Sequence, residues 1–196
     1  MMASRNTIVA HVEDRPGVLA RVASLFRRRG FNIESLTVGH CEEPGLSRMT
    51  IVVDGDDHQV DQVCRQLFKL IDVVSVQDIT YAPMLDRELA LIKVSASNFN
   101  RREVLDVVEV FRADVVDVHA EALIIQVLGD EGKVDAAVRM FEQFGILEMV
   151  RTGRVAMRRG TETTKPPAIS DSQQAAAAIR AMLGRRPEGV LPFASD

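Results

Sequence analysis

Asp14-Arg15-Pro16-Gly17, set between an apolar run and a helix-periodic segment, makes the chain turn from strand into helix within four residues. Residues 7–12 read as a short apolar strand. Asp14 and Pro16 are residue types that open a helix, one as an oxygen acceptor for orphan backbone donors and the other as a ring with φ preset. Val18, Val22, Leu25, Phe26 and Arg29 then recur at i, i+4, i+7, i+8 and i+11. This spacing turns one face toward a sheet and leaves Arg21, Arg27 and Arg28 in water. Gly30 ends the helix where a left-handed residue is cheapest, and a second strand begins at Asn32 and runs to His40. The N–H groups of Gly17, Val18 and Leu19 are expected to point out of the helix N-terminus, where they can bind a carboxylate.

The remaining punctuation extends this unit. Pro44-Gly45 marks a turn, after which the alternation from Arg48 to Val53 predicts a strand paired back on the previous one. Val60, Val63, Cys64, Leu67, Leu70 and Ile71 repeat at helical spacing, and residues 73–79 supply a fourth strand. The order is βαββαβ, a split βαβ unit. Residues 81–86, with Pro83, read as a linker, after which the order repeats. It runs through a strand over 88–95, a helix from Asn100 to Phe111, strands over 114–119 and 123–128, a helix over 134–144 and one strand over 146–157. Asn100 and Glu103 are spaced as a capping box. The predicted class is α+β, with two ferredoxin-like βαββαβ domains over 5–80 and 87–159. The tail, 160–196, is expected to be largely disordered, with Pro166-Pro167 and a short Ala-rich helix over 172–183.

Composition removes several functions. A net charge of −4 argues against a broad nucleic-acid footprint or an anionic membrane partner. No apolar run approaches the roughly 20 residues that span a bilayer, and no secretory signal opens the chain, so a cytoplasmic location is expected. His11, His40, His58 and His119 share no ligand spacing with one another or with Cys41 and Cys64, and no metal is expected. Gly129-Asp130-Glu131-Gly132-Lys133 has its glycines three apart where a phosphate loop needs about five, and reads as a strand-to-helix turn. With one Tyr and no Trp, the sheets lack the aromatic residues that stack RNA bases. Carboxylate pairs such as Glu42-Glu43 and Asp56-Asp57 read as solvated loop and cap residues. What remains is the turn at residues 14–17. Its plain reading is a capped helix whose glycine permits the bend. Its sharper reading adds Asn32, whose amide both donates and accepts, as recognition of a zwitterionic amino acid requires.

Asp14-Arg15-Pro16-Gly17-Val18-Leu19, Gly30-Phe31-Asn32-Ile33-Glu34-Ser35-Leu36 and Ser47-Arg48-Met49-Thr50-Ile51 together resemble the ACT domain of the regulatory small subunit of acetohydroxyacid synthase, also called acetolactate synthase. Arg87-Glu88-Leu89-Ala90-Leu91-Ile92-Lys93-Val94, Phe111-Arg112-Ala113-Asp114-Val115-Val116-Asp117-Val118 and Arg151-Thr152-Gly153-Arg154-Val155 carry the likeness through the second half. The resemblance implies a chain with no active site and no cofactor of its own. Its partners would be a catalytic large subunit, carrying thiamine diphosphate, magnesium and FAD, and a second copy joined through the ACT domains. It would activate the large subunit and confer feedback inhibition by valine or a related branched-chain amino acid. The resemblance also implies an effector site of Asp14, Gly17, Val18, Leu19, Asn32 and Ile33. That site would be shared between the turn of one protomer and the neighbouring strand of the other, with Gly39 and Gln62 tuning sensitivity. Physical chemistry agrees: Gly17 lets a ligand approach backbone, Asn32 fixes orientation, and Val18, Leu19 and Ile33 are apolar candidates for the branched side chain. The chain departs from the pattern at Asp14, where many relatives have Asn, and in the length of its tail. Two other readings stand beside this one: a stand-alone ACT-domain amino-acid sensor with another partner, and an enzyme on the same fold such as an acylphosphatase. The enzyme requires an anion-binding arginine and a water-orienting amide together, and no motif presents them.

Overall fold

The computed structural model describes residues 5–166. The elements are β1 (Arg5–Glu13), α1 (Val18–Arg29), β2 (Ile33–His40), β3 (Leu46–Asp54), α2 (Asp57–Leu67), β4 (Val73–Asp78), β5 (Met84–Ser95), α3 (Arg101–Val110), β6 (Asp114–His119), β7 (Ala122–Gly129), α4 (Glu131–Glu142), β8 (Ile146–Arg151) and β9 (Val155–Arg158). They build two antiparallel sheets, ordered β2-β3-β1-β4 and β6-β7-β5-β8, with β9 paired to β5. This is the α+β architecture of two ferredoxin-like units. Each sheet carries its helices on one face. Phe26, Val63 and Leu67 pack with Ile8, Met49 and Ile51 in the first core, and Val104, Val134 and Phe141 pack with Ile92, Val94 and Ile125 in the second.

Helix starts depart from the sequence reading. α1 opens on Gly17, at φ 89°, with no side chain capping it. The Asp14 carboxylate instead lies 3.1 Å from His40 Nδ1, and the Asp14 N–H donates to the Gly45 carbonyl at 2.9 Å. A left-handed residue therefore makes the bend expected of a capping Asp14. Asn100 likewise does not cap α3: it accepts from the Ser97 hydroxyl at 3.1 Å and donates to the Ser95 carbonyl at 3.3 Å. A complete capping box lies on α2, between Asp56 and Gln59. Arg29, expected on the inner face of α1, is exposed and donates to Gln66 Oε1 at 3.2 Å.

The two halves are not strung on a free linker. Residues 84–86, expected as linker, form the start of β5 and pair with β9 from Met84↔Arg158 to Arg87↔Val155. The single strand expected over 146–157 is broken at Gly153, which takes φ 79° and sends β9 away from β8. Ala156 of β9 then packs with Val9 and Ile79 against the face of the first sheet opposite its helices. β1 is consequently buried on both faces from Asn6 to Val12. Thr164, 4% exposed, accepts from Arg48 Nη1 at 2.5 Å and, through its carbonyl, from Gln77 Nε2 at 3.3 Å. Packing thus extends past residue 160, the expected start of the tail. Residues 167–196, including the expected helix over 172–183, lie outside the described residues.

His11 sits beneath this covering layer, 1% exposed, with Nδ1 3.0 Å from Ser75 Oγ. Burial pushes its imidazole below the ordinary 6.5; the Arg48 guanidinium adds to the shift and Glu42 opposes it. The unfolded chain therefore takes up a proton first as pH falls below about 6.5, while the folded chain does not. Stability is full above that pH and is lost as pH falls toward the lower folded value. Calorimetry between pH 7.5 and 5.5 should show Tm declining, with a shallower decline in His11→Asn; equal slopes would rule out His11 as the source.

Candidate functional site

The turn before α1 presents backbone rather than side chains. Leu19 and Ala20 N–H groups precede the first i→i−4 bond, which Arg21 makes to the Gly17 carbonyl at 3.1 Å, so the helix offers them no acceptor. The Val18 N–H turns back to the Arg15 carbonyl at 3.4 Å, and its side chain is 3% exposed in the first core. Val18 therefore supports the turn from inside. Leu19, 46% exposed, is the apolar side chain that a ligand at the turn meets. Gly17 is open, and a Cβ there would touch nothing within 4 Å; its φ, not its space, calls for glycine. Because His40 holds the Asp14 carboxylate at the end of β2, that carboxylate leaves the helix N-terminus free for another anion.

Asn32 and Ile33 lie at the opposite end of α1. The helix has 12 residues, a length of about 18 Å at 1.5 Å per residue. Asn32 is exposed, with Nδ2 3.4 Å from Glu34 Oε1, and Ile33 packs partly against the first core. Gly39 precedes His40 at the far end of β2, and a Cβ on it would meet nothing within 4 Å. Gln62 is exposed on α2 and shares a cleft with Arg29 and Phe31, next to Asn32. One chain thus gathers these residues at two ends of α1 and leaves Gly17 and Asn32 apart. β2, which links the two ends, is the edge of its sheet.

A second cleft, of about 480 Å³, lies where the two halves meet. It is filled with ion pairs that no sequence motif announces. Arg154 Nη1 donates to Thr7 Oγ1 at 2.9 Å, Nη2 to Glu131 Oε2 at 2.7 Å, and Nε lies 3.3 Å from Asp86 Oδ2. Glu131 also pairs with Arg5. Arg151 grips Glu88 through Nε and Nη2, both at 2.7 Å, and Asp135 through Nη1 at 2.8 Å. The Glu88 carboxylate holds the Arg151 guanidinium firmly charged. Arg5 with Glu131 and Arg154 with Thr7 cross from one half to the other, so the cleft is a joint between the halves, while Arg151 braces β8 against β5 and α4 within the second half. The one local signal in the sequence is Gly153, set between the two arginines. Burial, with Asp78 and Asp61 nearby, pushes the Cys64 thiol up to about 12, which disfavours the thiolate. Among the described residues no helix is long and apolar enough to cross a membrane.

Comparison with known proteins matches both halves. Residues 8–75 fit the family model described as the AHAS small subunit-like ACT domain, and residues 87–160 fit that of the small subunit of acetolactate synthase. The chain is 54% identical over 158 residues to the probable acetolactate synthase small subunit of Archaeoglobus fulgidus, covering 81% of this chain and 99% of that one. It is 50% identical over 156 residues to the acetolactate synthase small subunit of Aquifex aeolicus, covering 79% and 81%. The crystal structure of the acetolactate synthase small subunit from Thermotoga maritima superposes with a TM-score of 0.76 at 42% identity, over 81% of this chain and 99% of that one.

Proposed function

Since the chain belongs to the acetolactate synthase small-subunit family, we propose that it is the non-catalytic regulatory subunit of a cytoplasmic acetolactate synthase. In this role it activates a catalytic large subunit and makes it sensitive to valine or a related branched-chain amino acid. Thiamine diphosphate, magnesium and FAD then belong to the large subunit. The observation that carries the effector site is the uncapped N-terminus of α1, opened by left-handed Gly17 with the Asp14 carboxylate drawn off to His40. Such a terminus binds the carboxylate of an amino acid, and exposed Leu19 meets its branched side chain.

The separation of Gly17 and Asn32 is met by a second copy. If two β2 edges pair antiparallel about a two-fold axis, the His40 end of one strand lies beside the Ile33 end of the other. The turn of one protomer then faces Asn32 of its partner, and two equivalent sites form. Effector seated across that seam favours one dimer arrangement, with coupling to the large subunit of about 1–3 kcal/mol.

The test is acetolactate formation by the purified large subunit from the same source, with and without this chain, across a valine titration. The expected result is stimulation by the chain together with valine inhibition that disappears when the chain is omitted. Absence of stimulation would favour the stand-alone sensor, which predicts that an amino acid raises the Tm of this chain alone.

A further inference from the structure

We propose that the cleft between the C-terminal ends of α1 and α2 docks an acidic segment of the catalytic large subunit that carries an apolar anchor; this rests on the regulatory-subunit reading above. The cleft measures about 520 Å³ and is lined by Arg29, Phe31, Gln62, Arg65, Phe68 and Lys69 among others. Arg27 and Arg28 flank it in the last turn of α1, and both are exposed. On a chain of net charge −4, five cations thus gather at one end of the first unit. Asp61 engages one of them, Arg65, at 2.7 Å, and Arg29 bonds the neutral Gln66. Helix C-termini favour cations through the macrodipole, which accounts for a basic residue at each end. It does not account for Phe68 at 62% and Ile71 at 64% exposure beside them. Exposed aromatic and arginine side chains together are what interface centres are built from. The charge requires carboxylates on the occupant, and the apolar side chains require an anchor that covers them.

The position of the cleft supplies a route for regulation. Phe31 lines it and is the residue before Asn32, while Gln62 lines it from α2. A large-subunit segment seated there touches the chain immediately preceding the strand end of the effector site. Gln62 would then tune sensitivity as a docking residue, without contact to the effector.

The experiment compares full-length wild type, Arg65→Glu/Lys69→Glu and Phe68→Ser for binding to the purified large subunit at low and high salt. Arg102→Glu/Arg139→Glu, two exposed positions on the second half, serves as the control. Each cleft variant is expected to weaken binding at least tenfold while staying folded, with Tm unchanged in Phe68→Ser and lowered by about a few °C in the charge-reversed variant, which gives up the Asp61–Arg65 pair. The charge-reversed variant should also show a smaller salt dependence, and valine should still raise the Tm of both. The control should bind as wild type does. Wild-type binding by the cleft variants would overturn the proposal, as would an equal loss in the control, which would indicate net charge alone. Loss of valine stabilisation in the cleft variants would assign the cleft to the effector site instead. Failure of the wild-type chain to bind the large subunit would overturn the regulatory-subunit reading itself, and this proposal with it.

Discussion

An Arg154→Met chain is expected to unfold roughly 4–12 °C below wild type, the shift that a loss of about 2–3 kcal/mol produces in a chain of this size. The Arg154 side chain is 15% exposed and joins three elements from both halves: Thr7 on β1, Asp86 on β5 and Glu131 on α4. Methionine preserves the stem but leaves two half-buried carboxylates facing each other without their shared cation. Removing one partner of a fully buried pair costs about 3–5 kcal/mol. Here Glu131 keeps Arg5, and both carboxylates retain about a quarter of their exposure, which sets the lower figure. Adding Asp86→Asn should recover part of the loss, because Asp86 is the carboxylate that loses its cation. A Tm unchanged by Arg154→Met would mean that the joint is solvated and that the remaining contacts, among them Arg5 with Glu131, Thr37 with the Thr152 and Arg154 carbonyls, and the packing of Ala156, hold the halves together.

Gly17→Val and Asn32→Ala should each reduce sensitivity to the effector more than tenfold, yet regain part of it when the two chains are refolded together. Valine at φ 89° meets left-handed strain of roughly 1–2 kcal/mol, tolerable at an exposed turn but enough to displace the N–H groups behind it. Asn32 is exposed and bears no packing. In a mixed dimer the shared-site geometry places both substitutions in one site and leaves the other intact, so random mixing restores about a quarter of all sites. Titrating valine against the reconstituted complex should therefore give a biphasic curve, with a minor phase at wild-type affinity. A site contained within one protomer gives no such phase.

The βαββαβ order and the interior faces of the helices follow from apolar residues at spacings of two and of three to four, because those spacings report local backbone geometry. Gly30 is legible as a stop for the same reason. Asp14 and Asn100 mislead a sequence reading because an oxygen ahead of a helix is only an opportunity: the chain around it decides whether that oxygen reaches the helix or is taken by His40 or Ser97. Val18 reads as a ligand contact since its position in the turn is visible, while the direction of its side chain depends on the sheet beneath.

The helices, most of the strands, their order and the turn at Gly17 are set by contacts within a few residues, and so they can be read from the chain written out, whereas β9 and the start of β5 exist only through their pairing with each other. Long-range packing chose which face of the first sheet β9 covers, brought Arg154 to Thr7 across 147 positions, and left Gly17 and Asn32 at opposite ends of one helix. Those outcomes depend on strand register and on packing between segments far apart in the chain, where many arrangements satisfy the same local pattern and only burial and charge pairing select among them.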